Sequence, residues 1–100
     1  MRSLSNEYSS FILDAPDYTD SKLLAASTAE AFTVPAGANY VNFSSSGDFY
    51  VNYSGTATVP GDLADGTASE YKPTLRGIAG ITSISVISAG TPIVTASFYK

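Results

Sequence analysis

Residues 40–53 read YVNFSSSGDFYVNY. Nearly the same phrase, Tyr-Val-Asn followed by an aromatic residue, stands on either side of a Ser/Gly/Asp centre. Within residues 40–43, Val41 and Phe43 point one way while Tyr40 and Asn42 point the other. Within residues 49–53, Phe49, Val51 and Tyr53 share a face opposite Tyr50 and Asn52. If the two strands are neighbours, their apolar sets lie together only when paired positions sum to an even number. That excludes two- and four-residue loops and leaves a three-residue loop (46–48) or a five-residue loop (44–48). With the shorter loop, Phe43 faces Val51, Val41 faces Tyr53, and Asn42 lies opposite Asn52. The stretch therefore predicts a hairpin that closes a core with Val41, Phe43, Phe49, Val51 and Tyr53.

Working outward, residues 30–34 (EAFTV) set Phe32 and Val34 against Ala31 and Thr33, then stop at Pro35-Ala36-Gly37, a turn sequence. Before them, residues 22–26 predict a short strand, with residues 27–30 as the connection. Toward the C-terminus, residues 81–88 (ITSISVIS) place Ile84 and Val86 on one face, with Ile81 and Ile87 on the other. A turn cluster, Ala89-Gly90-Thr91-Pro92, leads into residues 93–99 (IVTASFY), where Val94, Ala96 and Phe98 form one stripe and Thr95 and Ser97 the other. These two segments predict a second hairpin. Residues 54–73 read as a long connection rich in Gly, Ala and Thr, a length unusual in a compact domain unless it is functional. Residues 1–20 have Pro16 near their end and only a few large side chains, Tyr8, Phe11, Ile12 and Tyr18, and read as an extended arm.

The expected architecture is all-β: a small antiparallel β-sandwich or barrel of about six strands in residues 21–100, preceded by an extended N-terminal arm in residues 1–20. Composition agrees, with 44% hydrophobic residues, 14% charged residues, and 25 Ser and Thr among the 100. A core of this size without a staple supplies only about 3–5 kcal/mol. Self-association or docking on a larger surface would relieve that deficit.

The same composition narrows function. The formal net charge is −4, and no basic patch exists to neutralise a phosphate backbone, so nucleic acid is not an expected partner. Nor is a membrane, because the apolar run Phe11-Ile12-Leu13 is far shorter than a signal-peptide core or a span. Absence of cysteine removes disulfides and thiolate metal sites, and absence of histidine removes the commonest general base. No nucleophile elbow and no phosphate-binding glycine pattern occurs. The expectation is a non-enzyme without a cofactor.

Several motifs have bland and functional readings. Asn42-Phe43-Ser44 and Asn52-Tyr53-Ser54 match a glycosylation acceptor, but nothing in the sequence points to secretion, so both asparagines read as outward strand positions. Asp62, Asp65, Gly66 and Glu70 lack the alternate-position spacing of a calcium loop, and the acids fit better as turn caps or as partners of Lys72 or Arg76. Tyr40 and Tyr50, with Asn42 and Asn52, would form the outward face of the first hairpin, suited to a protein interface or a sugar platform.

The run AFTVPAGANYVNF…GDFYVNYSGTATVPGDLADGTASEYKPTLRGIAGITSISVISAGTPIVTASFYK, residues 31–100, resembles small structural proteins of tailed-bacteriophage particles. The likeness lies in a VPAGA turn leading into a strand, an FYVNY-like strand, a VP…D…DG…SE…P loop and a hydroxyl-rich terminal hairpin. It implies a virion component with a β-sandwich fold, with capsid decoration (cement) the expected role and a neck, tail or fibre part the alternative. A glycan-binding host-attachment module is a third expectation, from the outward Tyr/Asn face alone. The expected partners are the major capsid protein or other virion proteins and further copies of the chain, and the expected location is the virion, assembled in the host cytoplasm. Candidate contact residues are Tyr8, Phe11, Ile12, Tyr18, Tyr40 and Tyr50.

Overall fold

The computed structural model describes residues 15–61 and 66–100. These form eight strands in two antiparallel four-stranded sheets. In chain order the strands are β1 (Tyr18–Leu23), β2 (Glu30–Thr33), β3 (Tyr40–Ser45), β4 (Tyr50–Asn52), β5 (Glu70–Tyr71), β6 (Leu75–Gly77), β7 (Ser83–Ile87) and β8 (Ile93–Tyr99). Sheet one has the order β1-β8-β3-β6, and sheet two the order β2-β7-β4-β5. The described residues contain no helix.

Both sheets contribute inward side chains to one core, in the manner of a β-sandwich. Sheet one supplies Val41, Phe43, Val94, Ala96 and Phe98, and sheet two supplies Phe32, Val51, Ile84 and Val86. Each belongs to the period-two stripe read from the sequence, and Leu24, Val34, Ala38, Phe49 and Ile78 complete the cluster from outside the strands. Tyr53, expected in this core, packs against it partly buried.

The two expected hairpins do not form. β3 pairs with β8 and β6, whereas β4 pairs with β7 and β5, so residues 46–49 carry the chain from one sheet to the other. Phe43 and Phe49 therefore meet across the core, ring centroids 5.8 Å apart, rather than side by side on one sheet. Likewise β7 lies in sheet two and β8 in sheet one, and residues 88–92 cross between them. Alternation of apolar residues fixes which side chains face the core and is satisfied equally by a neighbour in the same sheet and by an arch over the core. The two arches sit together. Ser46 donates its N–H to the Ile93 carbonyl at 3.0 Å and accepts the Ile93 N–H on its hydroxyl at 2.9 Å. Buried Ser88 donates its hydroxyl to the Asp48 carbonyl at 2.7 Å and accepts the Gly90 N–H at 3.0 Å.

Other boundaries shift for local reasons. The expected strand at 22–26 is β1 at Tyr18–Leu23, so Tyr18, Thr19 and Asp20, assigned to the arm, lie in the sandwich. Ile81 packs against the core instead of facing away, because a turn closed by the Ile81 N–H on the Ile78 carbonyl precedes β7 and resets the alternation. The Pro35–Gly37 turn forms as expected: the Ala38 N–H reaches the Pro35 carbonyl at 3.1 Å, and Gly37 takes φ 82° at the position that favours glycine. The two strands beyond the expected six, β5 and β6, are two and three residues long with no buried residue in either. An apolar stripe cannot announce such strands.

Candidate docking surface

Directly opposed residues of an antiparallel pair project to the same side of the sheet. Register therefore assigns every side chain of sheet one to a face. Opposite Val41, Phe43, Val94, Ala96 and Phe98 lies an outer face built from Thr19, Ser21 and Leu23 on β1; Ile93, Thr95, Ser97 and Tyr99 on β8; Tyr40, Asn42 and Ser44 on β3; and Leu75 and Gly77 on β6. No charged residue stands on it. Its rows run across the strands as Leu23 beside Ile93, then Ser21, Thr95 and Ser44, then Thr19, Ser97, Asn42 and Leu75, then Tyr99, Tyr40 and Gly77. Ser21 and Thr95 share a side-chain hydrogen bond of 2.9 Å. The large apolar members are conspicuously wet: Leu23 is 70% exposed, Ile93 50% and Tyr40 51%.

The corresponding face of sheet two is covered in part. Tyr50, Asn52, Ser85 and Ile87 point outward there, because each is paired with another outward residue or lies two positions from one. Yet Ile87 is buried and belongs to no part of the central cluster. The connection after β4 runs over this face: the Ala57 N–H donates to the Ser85 hydroxyl at 2.8 Å, the Thr58 N–H donates to the Ser69 hydroxyl at 3.1 Å, and Ala57 and Ser69 are buried. The described part of the long connection, residues 54–61 and 66–69, thus covers the β4 side of this face, while Ala31, Thr33, Ser83 and Tyr71 on the same face stay exposed. Among the described residues sheet one has no such cover.

Charged groups gather along the rims. At the β5/β6 side, Glu70 is opposite Val51 and Arg76 is opposite Val41, so both point into the gap between the sheets. They meet there, with Arg76 Nη2 2.6 Å from Glu70 Oε2 and Nε 3.0 Å from the same oxygen. Tyr53 donates its hydroxyl to Glu70 Oε1 at 2.8 Å. The Arg76 hydrogen bonds, outweighing partial burial, hold the Glu70 carboxyl below its ordinary pKa. Desolvation, followed by the bond to Glu70, pushes the Tyr53 phenol strongly up. The segment 70–77 thereby stitches the sheets together: its two ends pair with β4 and β3, and buried Pro73 makes the corner. On the opposite side the inward residues of β1 are Tyr18, Asp20 and Lys22, opposed to Phe98, Ala96 and Val94. Lys22 lies over the Phe32 ring, 5.9 Å from its centroid.

Sequence-predicted contact residues are dispersed by this arrangement. Tyr8, Phe11 and Ile12 lie outside the described residues. Tyr18 faces the core side of an edge strand, its ring 6.4 Å from that of Phe98. Tyr40 stands on the bare face of sheet one. Tyr50 stands on the outer face of sheet two, 5.4 Å from Tyr71, whose hydroxyl donates to Asp48 at 2.9 Å. Tyr40 and Asn42 therefore look away from Tyr50 and Asn52 across the whole core, and the four do not form one sugar platform. Asn52 is moreover engaged, its Oδ1 accepting the N–H groups of Ser54 and Gly55 at 2.9 Å each. Asp62 and Asp65 lie outside the described residues, and Glu70 pairs with Arg76 as the sequence suggested. Among the described residues no group of three or more His, Cys, Asp or Glu gathers. Leu23, Leu75, Ile93 and Tyr99, which share the bare face with Tyr40, are not among the candidates read from the sequence. Their signal was the position opposite the core stripe, legible only once the strand partners are known.

No protein-family model matches the chain, and no curated protein or solved structure gives a significant match.

Proposed function

We propose that the chain is a structural component of a bacteriophage particle, a capsid decoration protein that docks through the outer face of sheet one on the major capsid protein. The observation that carries the docking is the asymmetry of the sandwich: one outer face is covered in part by the chain's own connection, and the other has no such cover among the described residues and its strands present only hydroxyl, amide and apolar groups, several of them exposed. Uncharged cores with polar rims mark protein interfaces, and charged side chains are depleted where interfaces dry out. The resemblance of residues 31–100 to small virion proteins supplies the class of partner.

Size decides how such a face would work. The 22 residues of its four strands, each rising about 3.4 Å with strands about 4.8 Å apart, present about 360 Å², so one contact buries about 700 Å² over both partners. That falls below the span of about 1,200–2,000 Å² typical of stable pairwise complexes. One contact is weak, and a repeating shell that offers many contacts turns weak sites into durable attachment through avidity. The role is passive: the protein bridges neighbouring capsid subunits and raises the shell's resistance to heat and pressure without chemistry. Its location would be the virion, assembled in the host cytoplasm.

The test is addition of purified protein to particles prepared without it. Saturable binding at many copies per particle, together with a higher temperature of shell disruption, is the expected result. Binding at a few copies, with no change in shell stability, would move the chain to the neck, tail or fibre. No binding to any particle would overturn the virion reading.

A further inference from the structure

Among the described residues no strand pairs with the outer edge of β1, and that edge is self-complementary. The Leu24 N–H donates to the Pro92 carbonyl at 2.9 Å, and this even-numbered position continues the β1–β8 register, so residues 18, 20 and 22 direct their backbone groups to β8. The N–H and C=O groups of Thr19, Ser21 and Leu23 then point away from the sheet. β1 is the longest of the four edge strands and contains no proline and no bulge. Asp20 and Lys22 point inward along it, into a groove that Tyr18 and Phe32 help to line, and neither has an ion-pair partner among the described residues. Inward charges on an edge ordinarily discourage strand addition, because an incoming strand would bury them unpaired.

A second copy removes that objection. We propose that two copies associate through β1, antiparallel about a two-fold axis at Ser21. In this register Thr19 faces Leu23 of the other copy, Ser21 faces itself, and all three open backbone positions are used. Asp20 then lies directly opposite Lys22 of the second copy, and Lys22 opposite its Asp20. Sliding by one paired position either way sets Asp20 against Asp20 or Lys22 against Lys22, and like charges directly opposite are destabilising. The inward charges therefore select both the occupant and the register. Two sheets joined in this way present one continuous eight-stranded outer face of about 700 Å². The pairing does not rest on docking to a shell, and either can fail without the other.

The test uses the full chain and charge reversal, read by sedimentation velocity and native mass spectrometry over a wide concentration range. Wild type is expected to dimerise reversibly. Asp20→Lys and Lys22→Asp each create two like-charge pairs and should weaken self-association by about tenfold or more. The double variant carrying both changes restores the pairing, and an equimolar mixture of the two single variants forms a heterodimer, since each copy supplies what the other lacks. A purely structural defect would not be rescued by mixing. A monomeric wild type, single variants that still dimerise, or a mixture that stays monomeric would each overturn the proposal.

Discussion

Replacing Ser88 by alanine tests whether the two inter-sheet arches lean on one another. The Ser88 hydroxyl is the joint: it donates to the Asp48 carbonyl in one arch and accepts the Gly90 N–H in the other, at 2.7 and 3.0 Å, and the residue is 3% exposed. Alanine removes both bonds while leaving the backbone groups in place. Gly90 is exposed and its N–H can take a water, whereas the Asp48 carbonyl loses a buried partner. Losing one part-buried hydrogen bond costs about 1 kcal/mol. For a domain of this size that lowers the melting temperature by about 4–8 °C. The assay is thermal unfolding followed by circular dichroism, with urea unfolding to confirm an unchanged m-value. Ser44→Ala, on the exposed outer face of β3, is the control and should stay within about 0.5 kcal/mol of wild type. A Ser88→Ala protein that melts within about 2 °C of wild type would refute the coupling of the arches. It would favour independent hairpins, in which Ser88 has no reason to touch Asp48.

The remaining predictions address the core, the rim and the bare face. Phe98→Ala empties a fully buried site at the centre of sheet one and should cost about 3–5 kcal/mol, enough to leave the chain largely unfolded by circular dichroism at room temperature. Because Arg76 depresses the Glu70 pKa below its ordinary 4.5, the associated stability is present above that value and is lost as pH falls through the lower folded value. The difference in unfolding free energy between wild type and Glu70→Gln should thus hold steady above about pH 5 and shrink in more acidic buffer; a difference that grows on acidification would contradict it. Ser97→Lys puts a charge at the middle of the bare face and should leave unfolding within about 0.5 kcal/mol of wild type. The same change should weaken attachment to particles by about 100-fold or more, since the charge would be buried without a partner.

Much of the core was legible in the sequence because a strand's period of two needs no knowledge of its neighbours. Phe32, Val41, Phe43, Val51, Ile84, Val86, Val94, Ala96 and Phe98 all face inward as the alternation requires. Strand partners were not legible. Residues 40–53 satisfy the parity of a hairpin, but parity is equally satisfied when the second strand crosses to the opposite sheet, and the Ser/Gly/Asp centre serves a turn or an arch alike. That ambiguity carried directly into the candidate surface. Tyr40 and Tyr50 look equivalent in the doubled phrase, yet one lies on a bare face and the other on a face that the chain covers in part. The cover itself was visible only as an unusually long connection. Its anchoring hydrogen bonds run from backbone N–H groups to Ser85 and Ser69, residues with no distinctive pattern around them. The Glu70–Arg76 pair is one of the alternatives the sequence offers, beside turn capping and a pair with Lys72. Its role in joining the two sheets was not legible, because β5 and β6 are too short to leave a periodic trace.

Cryo-electron microscopy of the native particle tests the central claim most directly. The proposed role requires density for this sandwich at many junctions between capsid subunits, with β8 and the outer face of sheet one turned toward the shell and the covered face of sheet two toward solvent. Density in which the outer face of sheet one is free in solvent, or in which the sandwich occupies only the neck, tail or fibres, would contradict it.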